Sequence, residues 1–343
     1  MKKFIINGSL GLFILTTCLY SCKPKQEAVK QSASTGINLN FMDNSTNPAD
    51  NFNRYVNGTW LDKTEIPADR TRWGSFDELR KNTDDDVMAI LKDAIKDKTI
   101  DPKSDQAKAI YLYKTVLDTV TRNKQGIEPL KPYLAKINSV QTADQLVALL
   151  AEMEPEMGLG FFGSYIGADA KNSNKNVIYV GTGSLGLPDR DYYVSDAPDN
   201  KEKREKYIAH VTRMLQFIGE SEATASDNAK KILALETKMS TATFDRVERR
   251  DRRKTYNPMS FSDLQKLVPS VKWESYFQSV GMGKVDSLVV SQPKYLQTIE
   301  TILKDNQVED WKAYMRWTVL RGSAGILSTT IENANFDFYG KTL

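Results

Sequence analysis

"SFDELRKNTDDDVMAILKDAIK" (residues 75–96) carries the pattern that decides the fold. Six of its apolar residues lie at the spacing of one face of an α-helix, on either side of the polar run 80–86. They are Phe76, Leu79, Val87, Ile90, Leu91 and Ala94. Ser75 followed by Glu78 predicts a capping box at the start of this helix. We therefore predict an amphipathic helix over about 76–96.

The same periodicity recurs along most of the chain. Further helices are predicted over residues 105–121, 127–138, 143–154, 199–219, 226–243, 260–268, 292–304 and 308–328. Thr142 and Gln145 repeat the capping-box pattern. "FFGSYIGAD" (161–169) and "NVIYVGTG" (176–183) predict a β-hairpin whose turn lies in "AKNSNKN" (170–176). The predicted fold class is mainly α, a multi-helix lobe with a small β-hairpin.

Composition argues against a nucleic-acid partner. The chain of 343 residues has a formal net charge of +3, which includes Lys2 and Lys3; without them 47 − 2 = 45 basic residues face 44 acidic ones. The basic run "DRVERRDRRK" (245–254) is interrupted by three acidic residues and contains no aromatic residue on which bases could stack. It is typical of a solvated or inter-lobe ion-pair surface.

Residues 1–21 are typical of a lipoprotein signal peptide. Two lysines precede an apolar stretch, residues 10–19, that is too short to span a bilayer, and "LYSC" (19–22) resembles a bacterial lipobox. Lipid would then be attached to Cys22, and the polar residues 22–46 would form a flexible tether. The alternative is an ordinary secretory signal with a chance cysteine. We expect an exported, membrane-anchored lipoprotein of a bacterial cell envelope.

Histidine and cysteine counts restrict the chemistry of the mature chain. The only cysteines are Cys18, within the signal peptide, and Cys22, so neither a disulfide nor a thiolate ligand is expected. His210 is the single histidine, which excludes an H-E-x-x-H zinc helix and leaves Ser-His-Asp catalysis without support. Because its helical neighbours are apolar, we predict a partly buried structural imidazole.

Gly181, Gly183 and Gly186 match the spacing G-x-G-x-x-G of dinucleotide-binding turns. The sequence after the third glycine, "LPDRD" (187–191), does not predict the long helix that such a site requires. The glycines are interpreted as turns that leave the hairpin. The acidic run at residues 84–86 lacks the spacing of a calcium loop and is expected to face solvent.

Four ordered motifs resemble the neprilysin-like (endothelin-converting-enzyme-like) family of zinc metallopeptidases. They are "NPADNFNRYVNGTWLDKTEIPADRTRWGSFDELR" (47–80), "LGLPDRDYY" (185–193), "ERRDRRKTYNPMSFSDL" (248–264), and "YMRWTVLR" (314–321) followed by "FDFYGKTL" (336–343). The resemblance implies the N-terminal helical lobe that covers the peptide cavity. The catalytic motifs of the family, H-E-x-x-H among them, do not occur in this sequence.

The resemblance also implies a set of substrate-binding residues at the start of the first quoted helix. Arg72 and Arg80 would hold the C-terminal carboxylate of a short peptide, Phe76 would line the adjoining apolar pocket, and Asp77 belongs to the same set. Two guanidiniums near a helix N-terminus are also a physically reasonable carboxylate site. The alternative is that Arg80 only forms a surface ion pair with Asp77 or Asp84.

Two functions remain open. In the first, the chain is the N-terminal portion of an exported zinc metalloendopeptidase that acts on oligopeptides. It would supply the substrate-cavity lobe but no catalytic residue or zinc ligand, and would need a missing catalytic half. In the second, it is a free-standing, non-catalytic surface lipoprotein that binds peptides or a partner. Residues 47–65 would be an edge segment of the catalytic lobe, 66–289 the helical lobe, and 290–343 a truncated return to the catalytic lobe.

A truncated return would leave apolar helix faces without their cover. The predicted helices at 292–304 and 308–328 carry the residues concerned. They are Leu296, Ile299, Trp311, Trp317 and Leu320. We expect these side chains to be exposed, which would favour aggregation or capture of a partner.

Overall fold

The computed structural model describes residues 36, 38–68, 70, 72–158 and 161–343. The chain divides into two compact units, and the boundary between them lies between Lys98 and Thr99. The predicted signal peptide and Cys22 lie outside the described residues. The lobe boundaries expected from the sequence remain predictions.

The described part of the first unit contains the helices α1 (Phe52–Lys63) and α2 (Ser75–Lys96) and a 3-10 turn at Leu39–Phe41. Asn51 caps α1 by accepting a hydrogen bond from the backbone N–H of Arg54 at 2.8 Å. The predicted helix at 76–96 is confirmed, but the Ser75 cap is wrong. Gly74, in extended conformation, occupies the N-cap without a side-chain bond, so Ser75 lies inside the first turn, where its hydroxyl cannot cap.

The second unit is mainly helical. Its helices are α3 (Asp105–Leu117), α4 (Thr119–Gln125), α5 (Lys131–Ser139), α6 (Ala143–Met157), α7 (Arg190–Val194), α8 (Pro198–Phe217), α9 (Glu222–Thr241), α10 (Arg252–Thr255), α11 (Phe261–Leu267), α12 (Trp273–Ser279), α13 (Pro293–Asp305), α14 (Val308–Ser323) and α15 (Thr329–Tyr339). The cap predicted at Thr142 is confirmed, since its hydroxyl accepts from the Gln145 N–H at 3.2 Å. The fold class, mainly α with a small sheet, is confirmed.

Two predicted helices end at least four residues before the expected end. The helix predicted over 105–121 divides at Asp118, which ends α3 and caps α4 by accepting from the Thr121 N–H at 3.0 Å. The helix predicted over 308–328 ends at Ser323 and continues as a 3-10 turn, Ala324–Ile326.

Four strands form one mixed sheet in the order β1-β2-β4-β3. The strands are β1 (Ser164–Asp169), β2 (Asn172–Val180), β3 (Asn257–Ser260) and β4 (Ser287–Val290). β1 and β2 form the predicted antiparallel hairpin, β2 runs parallel to β4, and β3 is antiparallel to β4. The predicted turn was too long, because Asp169 pairs with Asn172 and the polar residues 172–176 extend β2.

An aromatic-rich core fills the described part of the second unit. The expectation that the last predicted helices lack cover is wrong. Leu296, Ile299, Trp311, Trp317 and Leu320 are each at most 1% exposed. α13 and α14 pack against α9 and its neighbours, so the unit closes its own core.

Candidate functional site

Arg72 and Arg80 bracket the start of α2 in the first unit. Because the helix begins at Ser75, Arg72 lies three residues before it and Arg80 lies in its second turn. The positions expected from the sequence are therefore correct, although the cap is Gly74. Arg72 and Arg80 are both exposed.

The alternative ion pairs of Arg80 do not form. Among the residues that the structure describes, Arg80 forms a salt bridge with neither Asp77 nor Asp84, and Arg72 has no hydrogen-bond or ion-pair partner. Two long cations without partners close to one helix start are available to an anionic ligand. An exposed guanidinium binds a carboxylate well, because two of its N–H groups can donate parallel hydrogen bonds to the two carboxylate oxygens.

Phe76, Asp77 and Arg80 share one face of α2, because helical residues three and four positions apart are neighbours. The Phe76 ring is 88% exposed, an unusual position for a large aromatic side chain. An apolar ring beside a free cation suits a ligand with an apolar side chain next to a carboxylate. Asp77 is partly buried and belongs to the first turn of the helix.

The helix end alone does not explain anion recognition. Gly74 offers no side-chain cap, which leaves N–H groups of the first turn available to an anion. Asp77 and Glu78, however, place two carboxylates in that first turn and already complement the helix dipole. Any positive charge that this helix start offers to an anion is therefore that of the Arg72 and Arg80 side chains.

The described residues do not fit a zinc ion. No group of three or more His, Cys, Asp or Glu side chains in the described part of the chain is placed to hold a metal ion. His210 stacks on Phe338 with ring centres 4.7 Å apart, and burial, followed by the Arg213 charge, lowers its pKa to about 4. The prediction of a buried structural imidazole is confirmed by its 6% exposure.

The "LGLPDRDYY" loop is fixed by a buried carboxylate that sequence reasoning did not single out. Glu236 on α9 is 1% exposed and accepts from the Gly186 N–H at 3.0 Å, the Tyr193 hydroxyl at 3.0 Å and the Tyr207 hydroxyl at 2.8 Å. Burial raises the pKa of Glu236, while these donors and the charge of Arg321 oppose that rise. The glutamate lies within a helical pattern, and no local signal marks it.

Gly186 is required where the loop passes Tyr207. A Cβ atom at this position would lie 1.8 Å from the Tyr207 hydroxyl, a distance that side chains cannot tolerate. The glycine therefore lets the backbone N–H reach Glu236. The interpretation of the G-x-G-x-x-G spacing as turns after the hairpin agrees with this position, because α7, which follows, has only five residues.

Three of the six basic side chains in the run at 245–254 form ion pairs in the described part of the chain. Lys254 pairs with Glu248 at 2.8 Å, Arg253 with Asp251 at 3.2 Å, and Arg246 forms a short salt bridge with Asp189. Arg249 lacks a partner among the described residues. This agrees with the predicted ion-pair surface.

The described residues contain no helix that is both long and apolar enough to cross a membrane.

Residues 48–343 match the family model for Peptidase family M13. The chain is 26% identical to endothelin-converting enzyme 1 of Rattus norvegicus in an alignment of 316 residues that covers 88% of this chain and 40% of that protein.

Solved structures agree with this match. The zinc metalloprotease ZMP1 of Mycobacterium tuberculosis, solved with an inhibitor, superposes with a TM-score of 0.81 at 32% identity over 90% of this chain and 47% of that chain. PepO of Lactobacillus rhamnosis superposes with a TM-score of 0.73 at 18% identity, covering 85% of this chain and 46% of that one, and shows the fold alone. The chain thus spans less than half the length of these relatives.

Proposed function

Since the chain belongs to peptidase family M13, we propose that it forms the substrate-facing lobe of an exported zinc metalloendopeptidase that cleaves oligopeptides. The lobe binds the peptide, and a separate catalytic half carries the zinc ligands. The proposal is supported by the family match and by the similarity to a zinc metalloprotease at 32% identity. Residues 47–65, 66–289 and 290–343 keep their proposed roles as edge, helical lobe and return segment.

The observation that carries the proposal is the pair of unpartnered guanidiniums around the α2 start. Arg72 and Arg80 hold the C-terminal carboxylate of a short peptide, and the exposed ring of Phe76 contacts the apolar side chain of its penultimate residue. Asp77 lies in the first turn between them and adds a negative charge that can attract a peptide N–H. Each guanidinium supplies a charge-assisted hydrogen bond, which is stronger than a neutral one.

The proposed carboxylate grip is tested by titrating the full chain with N-acetyl-Phe-Ala and with its C-terminal amide, following amide signals by NMR. Arg72→Gln and Arg80→Gln should each weaken binding of the free acid about 10- to 100-fold, the range for one charge-assisted hydrogen bond. Amidation should weaken binding to wild type by a similar factor. Lys92→Gln, a matched change of an exposed cation on α2, should leave binding unchanged.

The cycle of arginine replacement against amidation decides the outcome. If Arg80 and the carboxylate are partners, the amide binds wild type and Arg80→Gln almost equally. If instead the two losses add in full, the arginines recognise something else and the proposed role is wrong.

We further propose that lipid on Cys22 holds the protein at a membrane of the cell envelope. The lipobox-like sequence and the polar stretch after it support this attachment. Cys22→Ala should abolish metabolic labelling with a radioactive fatty acid and leave an unprocessed or membrane-released protein. Cys18→Ala is the matched control. Unchanged labelling and retention in Cys22→Ala would exclude a lipid anchor at this cysteine.

A further inference from the structure

A second polar site lies wholly within the second unit and does not depend on the proposed function. It is a cavity of about 500 Å³ bordered by the loop of residues 182–190 and by Arg249, Arg321, Asn335 and Tyr339. This volume falls in the range of small-molecule sites. The cavity includes neither Arg72 nor Arg80.

Three arginines and one aspartate supply the charges of the cavity lining, and two of these four are already neutralised. Asp189 accepts two hydrogen bonds from Arg246, one of them at 2.7 Å. Arg321 donates to the backbone carbonyls of Leu185 and Ser184, and the buried Glu236 balances its charge. These contacts fix the loop, and they leave neither Asp189 nor Arg321 with an unbalanced charge.

Arg190 and Arg249 are the charges that remain. The Nε atom of Arg190 is buried and has no hydrogen-bond partner among the described residues, and Arg249 forms no ion pair there. The charge of Arg190 interacts with the carboxylate of Asp245. The Oδ1 atom of Asp245, however, accepts hydrogen bonds from the backbone N–H groups of Val247 and Glu248, at 2.8 and 2.7 Å. No salt bridge joins Arg190 to Asp245.

One amide in the lining is also unused. The Oδ1 atom of Asn335 is buried without a partner in the described part of the chain. Two other polar side chains of the lining are engaged, since Tyr339 donates to the Gly186 carbonyl at 2.8 Å and Gln292 accepts from the Phe244 N–H at 2.6 Å. Buried polar atoms normally have a partner, so those of Arg190 and Asn335 indicate a missing one.

We propose that this cavity binds an oxyanion, the carboxylate or phosphate group of a small molecule, between Arg190 and Arg249, with Asn335 as a further hydrogen-bond partner. Two guanidiniums without counter-ions supply the positive charge and the paired N–H donors that a carboxylate or a phosphate group accepts. A partly enclosed site also strengthens this attraction relative to bulk water. The ligand amide or hydroxyl that contacts Asn335 then orients the molecule.

The matched pair Arg249 and Arg250 gives the sharpest test. Both are exposed neighbours in the 3-10 turn Glu248–Arg250, but only Arg249 lines the cavity. The full chain is titrated with inorganic phosphate and separately with succinate at low ionic strength by calorimetry. Arg249→Gln should weaken binding by about tenfold or more, and Arg250→Gln should change it less than twofold.

Asn335→Asp provides a second variant of nearly the same size. Its added carboxylate should repel both anions and weaken binding, with the fold checked by circular dichroism. Tighter binding of phosphate or of succinate identifies which oxyanion the cavity prefers. Equal losses in Arg249→Gln and Arg250→Gln would show unspecific charge attraction and overturn the proposal, as would the absence of saturable binding of both anions in the millimolar range.

Discussion

At the scale of the residue, His210 is a buried titratable group that connects stability to pH. Its ring packs on Phe338, Trp317 and Tyr339, and its Nε2 has no partner among the described residues. Burial, and then the Arg213 charge, lowers its pKa from 6.5 to about 4. Lys206 and Asp337 also line the adjoining pocket, and Asp337 pairs with Arg213 at 3.3 Å.

The sign of the pH effect follows from the lowered pKa. The unfolded chain protonates His210 below its ordinary pKa of 6.5, whereas the folded chain resists protonation until about 4. The contribution of the neutral imidazole to the free energy of unfolding is therefore fully present above pH 6.5, and it is lost as the pH falls to about 4. The whole difference corresponds to about 3 kcal/mol.

We expect His210→Phe to remove this part of the pH dependence. Denaturant unfolding at pH 7 and pH 4.5 should show that wild type loses about 2 kcal/mol more than the variant between the two conditions. His210 is the only histidine, so the carboxylates that titrate in this range are common to both proteins. An equal pH dependence in the two proteins would mean that the folded imidazole titrates normally.

The residues of the two sites differ in how far sequence could predict them. Arg72 and Arg80 were found through the resemblance, because both lie in one contiguous motif beside a predicted helix. Glu236 and Arg249 were not found, because their roles depend on segments that are distant in the chain. Glu236 meets Gly186 across 50 positions, a contact that no local pattern marks.

At the scale of the element, helices with strong periodicity were predicted well. α2, α6, α9 and α13 have bounds within a few residues of those expected. Asp118 shows where periodicity misleads, since the apolar pattern continues across the break. The aspartate side chain accepts from the N–H and hydroxyl of Thr121, at 3.0 and 2.7 Å, and so starts a new helix.

Short elements were missed because tertiary contacts decide them. β3 and β4 have four residues each, and β4 is defined by pairing with β2 and β3 on either side. Its sequence "SLVV" (287–290) is too short for alternation to be counted. The helices at 52–63, 190–194, 252–255, 273–279 and 329–339 were not predicted either.

One buried cation shows how elements are joined at long range. Arg122 on α4 is 8% exposed and donates to the carbonyls of Val116 and Leu327 at 2.8 and 2.9 Å, and to Glu332 at 2.7 Å. It thereby ties α4 to the turn before α15. Such a residue appears in the sequence as one more surface charge, because nothing nearby indicates that it is buried.

At the scale of the whole molecule, the described residues of the second unit form an aromatic-rich core in a part of the sequence that has no cysteine. Trp273, Trp311 and Trp317 are all at most 1% exposed and pack with other aromatic rings. Large buried aromatic side chains contribute strongly to stability. The exposed apolar residues of α2, including Phe76 and Ile90, belong instead to the first unit and include the proposed ligand contact.

The histidine content and the packing of His210 predict how the isolated chain behaves towards zinc. We expect the purified 343-residue chain neither to take up zinc stoichiometrically nor to show chelator-sensitive hydrolysis of a quenched peptide. Catalytic zinc needs about three protein ligands, and a single histidine that is packed against Phe338 and joined by no nearby cluster of donors cannot supply them.

Dialysis against zinc followed by elemental analysis measures the uptake, and fluorescence with and without chelator measures hydrolysis. His210→Phe is the matched variant, because it removes the one imidazole. Metal bound at one equivalent by wild type and lost from His210→Phe would show that this histidine is a ligand after all. Hydrolysis that the chelator abolishes would place a catalytic site within these residues. Peptide binding without either result is the outcome expected of the proposed substrate-facing lobe, since the proposed recognition by Arg72 and Arg80 needs no metal.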